Sequence, residues 1–186
     1  CVNQNISRDA LIRQLIKNPP DIVISLTGFV SWAEDFPLFR QIKERLPRTL
    51  IVGSGDILLG TNLELLFENS SLDAICYDFS SAEIVDYCLG KRRQFEDIAY
   101  KESGTIVARK SGGGERKIEE ISIGIPPHRL FPLNSYEYSF VREKPFATVL
   151  TDYSCPYRCT FCIMSQLRYK YRKVDEVIEE LNMLKN

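Results

Sequence analysis

The chain has 186 residues, 44% of them hydrophobic and 26% charged, and a formal net charge of −1. These values describe an ordinary soluble globular protein, give no broad electrostatic case for nucleic acid or an anionic membrane, and leave no apolar run near the ~18 residues of a membrane span. No signal peptide is visible. A start at Cys1 and an end at Asn186 on a helical pattern read as a fragment holding one domain and part of another.

Ser7 can cap a helix running to about Lys17, with Leu11, Ile12, Leu15 and Ile16 on one apolar face. Asn18-Pro19-Pro20 stops it, and Asp21–Ser25 follows as a buried strand. A second helix starts near Ser31, where Ser31 and Glu34 have capping-box spacing; Leu38, Ile42 and Leu46 mark its inner face. Thr49–Val52 is the next strand, followed directly by Gly53-Ser54-Gly55. Thr61 with Glu64 opens a short helix through Phe67, and Asp73–Tyr77 is a third strand. Ser80 with Glu83 is a third capping box, and that helix ends at Gly90.

Alternation of strand and helix from Asp21 to Gly90 predicts an α/β fold: a doubly wound, Rossmann- or flavodoxin-like parallel sheet with helices on both faces. Such sheets bind ligands at the C-terminal ends of their strands. Here those ends are Ser25-Leu26-Thr27-Gly28 and Gly53-Ser54-Gly55-Asp56, small and Gly-bearing, so a ligand can approach the backbone.

Beyond Gly90 the pattern changes. Runs at Phe95–Tyr100 and Thr105–Ala108 flank Glu102-Ser103-Gly104 as a β-hairpin. Ser111–Gly114 is the loop leaving the first domain, and Gly124–Pro145, carrying Pro126, Pro127, Pro132 and Pro145, reads as an extended linker over the surface. Phe146–Thr151 is a strand leading into a cysteine loop. The helix after that loop carries Val174, Val177, Ile178, Leu181 and Leu184 inward and Glu179 and Glu180 outward. The expected division is a domain over 1–110, a linker over 111–145, and the first β/α unit of a barrel over 146–186, with the loop at the strand's C-terminal end.

Six cysteines in a chain of this size and apolar content point to a reducing cytosol rather than to disulfides. Cys76 and Cys88 fall in strand-like and helix-like runs and read as buried free thiols. Cys155, Cys159 and Cys162 differ: C-x3-C-x2-C in a turn-like stretch lets three sulfurs face one centre. Three thiolates are one short of the four that close most iron–sulfur or zinc sites. A cluster so held keeps one iron open. No second C-x2-C pair exists, and the sole histidine, His128, is remote in sequence.

With the aromatic Phe161 just before the last cysteine, this segment resembles the signature of the radical S-adenosylmethionine superfamily. The resemblance implies that Cys155, Cys159 and Cys162 hold a [4Fe–4S] cluster and that S-adenosylmethionine chelates the fourth iron. One electron would then cleave it to a 5′-deoxyadenosyl radical that abstracts substrate hydrogen. Phe161 matches the residue that packs near the adenine. The order of sheet domain, hairpin, linker and cysteine motif is similar to the class with an N-terminal cobalamin-binding domain. That implies a cobalamin site at Ser25, Thr27, Gly53, Ser54 and Gly55, with methyl transfer or rearrangement as outcomes. The alternative is a degenerate sheet domain that only supports the barrel or binds a partner. The Asp-x-His-x-x-Gly loop of histidine-ligated cobalamin domains is absent. An electron donor such as flavodoxin or ferredoxin and a small-molecule or peptide substrate are the partners implied, in the cytoplasm; the fragment alone is not expected to turn over. A different class stays open: a non-catalytic interaction module holding zinc through the same cysteines plus Cys88 or a partner residue.

His128, in Pro126-Pro127-His128-Arg129, reads as a surface histidine. Asp152 and Tyr153 either line the cofactor site or pack behind it. Arg158 either offsets the cluster's charge or is solvated. Arg168–Lys173 mixes basic and aromatic residues as nucleic-acid sites do, but Asp175, Glu176, Glu179 and Glu180 nearly cancel its charge, so it reads as a segment leading into a helix. Trp32 reads as a packing or loop anchor.

Overall fold

The structure, a computed structural model, describes residues 6–59, 62–78, 80–91, 94–108, 118–137, 140–157 and 159–185. The chain forms two compact units, one built on Ser7–Gly114 and one on Glu115–Asn186.

The larger unit is a five-stranded sheet in the order β1 (Ile22–Leu26), β2 (Leu50–Ser54), β3 (Ala74–Cys76), β4 (Ile98–Glu102), β5 (Thr105–Val107). The first three strands are parallel and the last two continue as antiparallel neighbours. The alternation of side chains along each strand divides the core in two. Ile51, Ile75 and Ala99 face one way, against Phe36, Phe39 and Ile42 of α2 (Trp32–Arg45) and Leu66 and Phe67 of α3 (Leu63–Ser70). Ile12 and Leu15 of α1 (Arg8–Lys17) join that layer. Val52, Ala74, Cys76, Ile98 and Tyr100 face the other way, against Phe95 and against Ile84 and Tyr87 of α4 (Glu83–Cys88). α2 and α3, which link β1 to β2 and β2 to β3, pack on one face; α4 takes the other.

The expected alternation from Asp21 to Gly90 is therefore present, with helices on both faces. The sheet is mixed rather than all-parallel, because the expected hairpin joins it through β3. Its two-residue turn, Ser103 at φ 51° and Gly104 at φ 82°, has the left-handed backbone at both positions that matches strand twist. The described strands of this sheet run in sequence order, so no reversal of strand order falls among them.

Three helix starts were expected as capping boxes, and the caps differ. Ser7 does cap α1, its Oγ accepting from the Ala10 N–H at 3.2 Å. Ser31 precedes α2 without a capping bond: its Oγ accepts from Gly28 N and donates to Asp35 Oδ2, while Glu34 pairs with Arg8 of α1. Asn62 caps α3 by accepting from Glu64 N and Leu65 N; Thr61 lies outside the described residues. Ser80 does not cap α4, which begins after Ala82, and Glu83 Oε2 accepts instead from Glu96 N and Asp97 N. Gly90, at φ 63°, does end α4 as expected.

The smaller unit has a three-stranded sheet in the order β6 (Glu119–Ile121), β8 (Lys170–Arg172), β7 (Asp152–Tyr153), and the helix α5 (Val174–Lys185). The strand expected over Phe146–Thr151 is corrected to the two residues of β7, because no described strand lies beside 146–150 and a strand needs a ladder partner. The linker carries two short 3-10 turns, His128–Leu130 and Leu133–Ser135. Residues 111–114 lie outside the described residues.

Phe39 is 2% exposed at the centre of the larger core, so Phe39→Ala is expected to lower the urea-unfolding free energy of this unit by ~3–5 kcal/mol. Val30→Ala, at a fully exposed site, is expected to change it by less than ~0.5 kcal/mol.

Candidate functional site

Each of the three parallel strands is followed or closed by a buried polar residue: Thr27 after β1, Ser54 at the end of β2, Asp78 after β3. Sheet interiors are apolar, so this is where the larger unit departs from packing needs. Thr27 N donates to Ser54 O at 2.7 Å, carrying the β1–β2 ladder one step past the strand, and the Thr27 and Ser25 hydroxyls lie 3.4 Å apart. Gly55 has φ 134°, and a Cβ there would stand 2.1 Å from the Thr27 carbonyl oxygen. Only glycine fits that approach. Asp56 Oδ1 accepts from Phe29 N and Ile57 N, each at 2.8 Å, and so ties the two strand-end loops together.

Of the five positions expected at a cobalamin site, Thr27, Gly53 and Ser54 are buried, and Ser25 and Gly55 are half-buried. Gly53 and Ser54 belong to β2 rather than to a turn after it. A Cβ on Gly53 would lie 2.8 Å from Leu58 and Leu72, so its lack of a side chain admits those two leucines. Asp78, whose Oδ1 accepts from Ser80 N at 3.0 Å, was not singled out from the sequence; its place after a third apolar run was the signal available.

Cys76 is buried in β3, as expected, while Cys88 in α4 is half-buried. Burial pushes the Cys76 thiol up to about 12, and the Asp78, Asp97 and Glu83 carboxylates add to the effect. It is a packing group. Trp32 opens α2 and packs edge-on to Phe36, with ring centroids 5.8 Å apart.

The cysteine loop is closed at its neck. Ser154, at φ 71°, donates its hydroxyl to the carbonyls of Met164 at 2.9 Å and Leu167 at 3.1 Å, so the chain leaves and returns at one point. Inside the loop Cys162 N donates to Cys159 O at 3.1 Å, and a 3-10 turn over Ile163–Gln166 follows. Cys155 and Cys162 are half-buried and Cys159 is exposed; all three are free thiols. Phe161 is 91% exposed at the loop tip. Tyr153 is buried, and Asp152 is exposed and accepts from the Thr151 hydroxyl. Arg158 lies outside the described residues. Among the described residues no three Cys, His, Asp or Glu side chains stand together as a metal-holding group. The donor chemistry suits a thiolate-bound cluster, and all three sulfurs sit in one pinned loop. As folded here, that loop is a thiol-rich turn rather than a preformed ligand set.

Behind the loop three expectations are corrected together. His128 is not a surface residue: its side chain is 12% exposed and Nε2 lies 2.7 Å from Glu180 Oε1. Glu180 does not point outward but is fully buried, while Val174, Ile178 and Leu181 are exposed. The basic–aromatic run is in part a strand, with Lys170 and Arg172 buried by its alternation. Arg172 NH1 donates to Glu180 Oε2 at 2.5 Å and to Leu150 O at 2.9 Å; NH2 donates to Ile123 O at 3.2 Å. Burial works against the Glu180 carboxylate, but hydrogen bonds from Arg172 and His128 outweigh it and hold its pKa below the usual carboxylate value.

Fold and loop together define a mixed α/β, Rossmann-like sheet domain followed by a small unit bearing a three-cysteine turn. No protein-family profile matches the chain. Over 183 residues, 93% of the chain, it is 28% identical to the uncharacterized methyltransferase PH0819 of Pyrococcus horikoshii and spans 39% of that protein. The fold overlays on the cobalamin-dependent S-adenosylmethionine radical enzyme OxsB in its apo form (TM-score 0.62) and with aqua-cobalamin bound (TM-score 0.60). In each case identity is 18%, and the overlay takes in 97% of this chain and 25% of the OxsB chain. The chain thus spans well under half the length of these relatives. No helix among the described residues is long and apolar enough to cross a membrane.

Gly55→Ala is expected to destabilise the larger unit by at least ~3 kcal/mol in urea unfolding, since both the backbone clash and the positive φ must be relieved. Gly104→Ala, with open space around it, is expected to cost ~1 kcal/mol. At pH 8 the Cys76 thiol is protonated and enclosed, so iodoacetamide should modify Cys159 at least ~10-fold faster, as read by peptide mass spectrometry.

Proposed function

We propose that this chain is part of a radical S-adenosylmethionine enzyme with a cobalamin-binding-like sheet domain. The observation that carries the reading is the C-x3-C-x2-C turn, pinned at its neck by Ser154 and standing between β7 and β8. The overlay of nearly the whole chain on OxsB supports it. In this reading Cys155, Cys159 and Cys162 are the ligands of a [4Fe–4S] cluster, and they gather when it binds, as ligand loops do when binding and local folding are coupled. When bound, the cluster supplies one electron and an open iron site for S-adenosylmethionine. Phe161, exposed at the loop tip, is the ring that would cover the adenine. In this reading β7 and α5 would be the strand and helix of the first β/α unit of a barrel, with the short antiparallel β8 between them in the chain. An electron donor of the flavodoxin or ferredoxin kind would dock near the loop.

The cobalamin part rests on the strand ends. Thr27, Gly53 and Ser54 shape the floor there, while Ser25 and Gly55 remain partly open to a ligand. Methyl transfer is the outcome favoured by the name of the archaeal relative.

Anaerobic reconstitution with iron and sulfide tests the reading. The expected result is a brown protein with about four irons per chain, lost on Cys155→Ala, Cys159→Ala or Cys162→Ala, whose reduced paramagnetic spectrum changes on adding S-adenosylmethionine. Colourless, stoichiometric zinc in place of the cluster would overturn it in favour of a metal-binding interaction module. A titration with aquacobalamin is expected to saturate; no spectral change would leave the sheet domain a supporting role.

A further inference from the structure

The buried ions behind the cysteine loop have no part in the function just proposed. Burying Arg172 and Glu180 is costly, and replacing such a pair with apolar residues is often neutral or stabilising, so stability alone does not explain them. Their hydrogen bonds do. The Arg172 guanidinium holds the carbonyls of Leu150 and Ile123, and its backbone N–H donates to Thr151 O at 2.9 Å. Leu150 and Thr151 lead straight into β7, which pairs with β8 and ends one residue before Ser154, the residue that closes the loop's neck. Cys155 follows. Glu180 fixes the guanidinium from α5 through one oxygen, and His128 holds the other.

We propose that Arg172 and Glu180 are positioning residues for the cysteine loop, fastening the leg that ends at Cys155 to α5, with His128 holding Glu180 in register. The purpose of this arrangement rests on the cluster reading; its geometry does not.

The test is Arg172→Met combined with Glu180→Leu in the 186-residue chain, which keeps the packed volume and removes the side-chain hydrogen bonds. The melting midpoint is expected to stay close to that of the unaltered chain. In cluster-free protein, iodoacetamide should modify Cys155 about 10-fold faster while buried Cys76 is unchanged. In reconstituted protein, iron loss to a chelator should be about 10-fold faster. An unchanged Cys155 rate overturns the inference. If the double variant does not fold, His128→Ala and His128→Gln decide: alanine should speed Cys155 modification, and glutamine, which keeps a donor near Glu180, should restore the original rate. Equal rates in both variants overturn the inference. A chain that takes up no cluster sinks the cluster reading, and the alkylation arm still judges the positioning.

Discussion

Two-sided burial of the central strands is the constraint on which the larger unit depends. Ile51, Val52, Ala74, Ile75 and Cys76 are all fully buried, so β2 and β3 need apolar cover above and below and a ladder partner on each edge. The cover comes from α2 and α3 on one face and α4 on the other. The partners come from β1 and from the hairpin that turns back beside β3. The enclosed polar residues of this unit lie at element ends: Thr27, Ser54 and Asp78 where the parallel strands run out, Thr49 just before β2, and Ser70 at the end of α3.

The smaller unit meets a different problem with other means. Its strands are two or three residues long, and its buried apolar side chains are few, Tyr153 and Leu167 among the described residues. Directional bonds take the place of a large core. Ser154 closes the loop's neck, and Glu176 accepts from the Ser122 hydroxyl and from Ile123 N, joining α5 to the segment after β6. Arg172, Glu180 and His128 join the linker, β8 and α5. Bonds of this kind fix geometry more sharply than non-directional apolar contact does, at a cost in desolvation.

The helices and strands of the larger unit were legible because their apolar residues recur at the periods that burial imposes: 3.6 along α1 and α2, short β-branched runs in β1 and β2. Their caps were less so. Ser31 and Glu83 each have a nearer or better-aligned partner in the fold, and capping-box spacing carries no information about such rivals. The Phe146–Thr151 strand failed for a related reason: β-propensity describes how a residue fits a sheet once a neighbour strand exists, and here none is described. Glu180 was placed outside because a carboxylate on a helix is nearly always solvated. Its partner Arg172 comes from another element, and His128 lies 52 residues away.

The cysteine loop shows the same division between chemistry and geometry. Which atoms are available was readable, because three sulfur donors at such short spacing point to metal-ligand chemistry. How the loop is held was not, since the neck is closed by one serine hydroxyl reaching two carbonyls ten and thirteen residues away. That closure confines the three thiols to a short span without placing them in a finished ligand set.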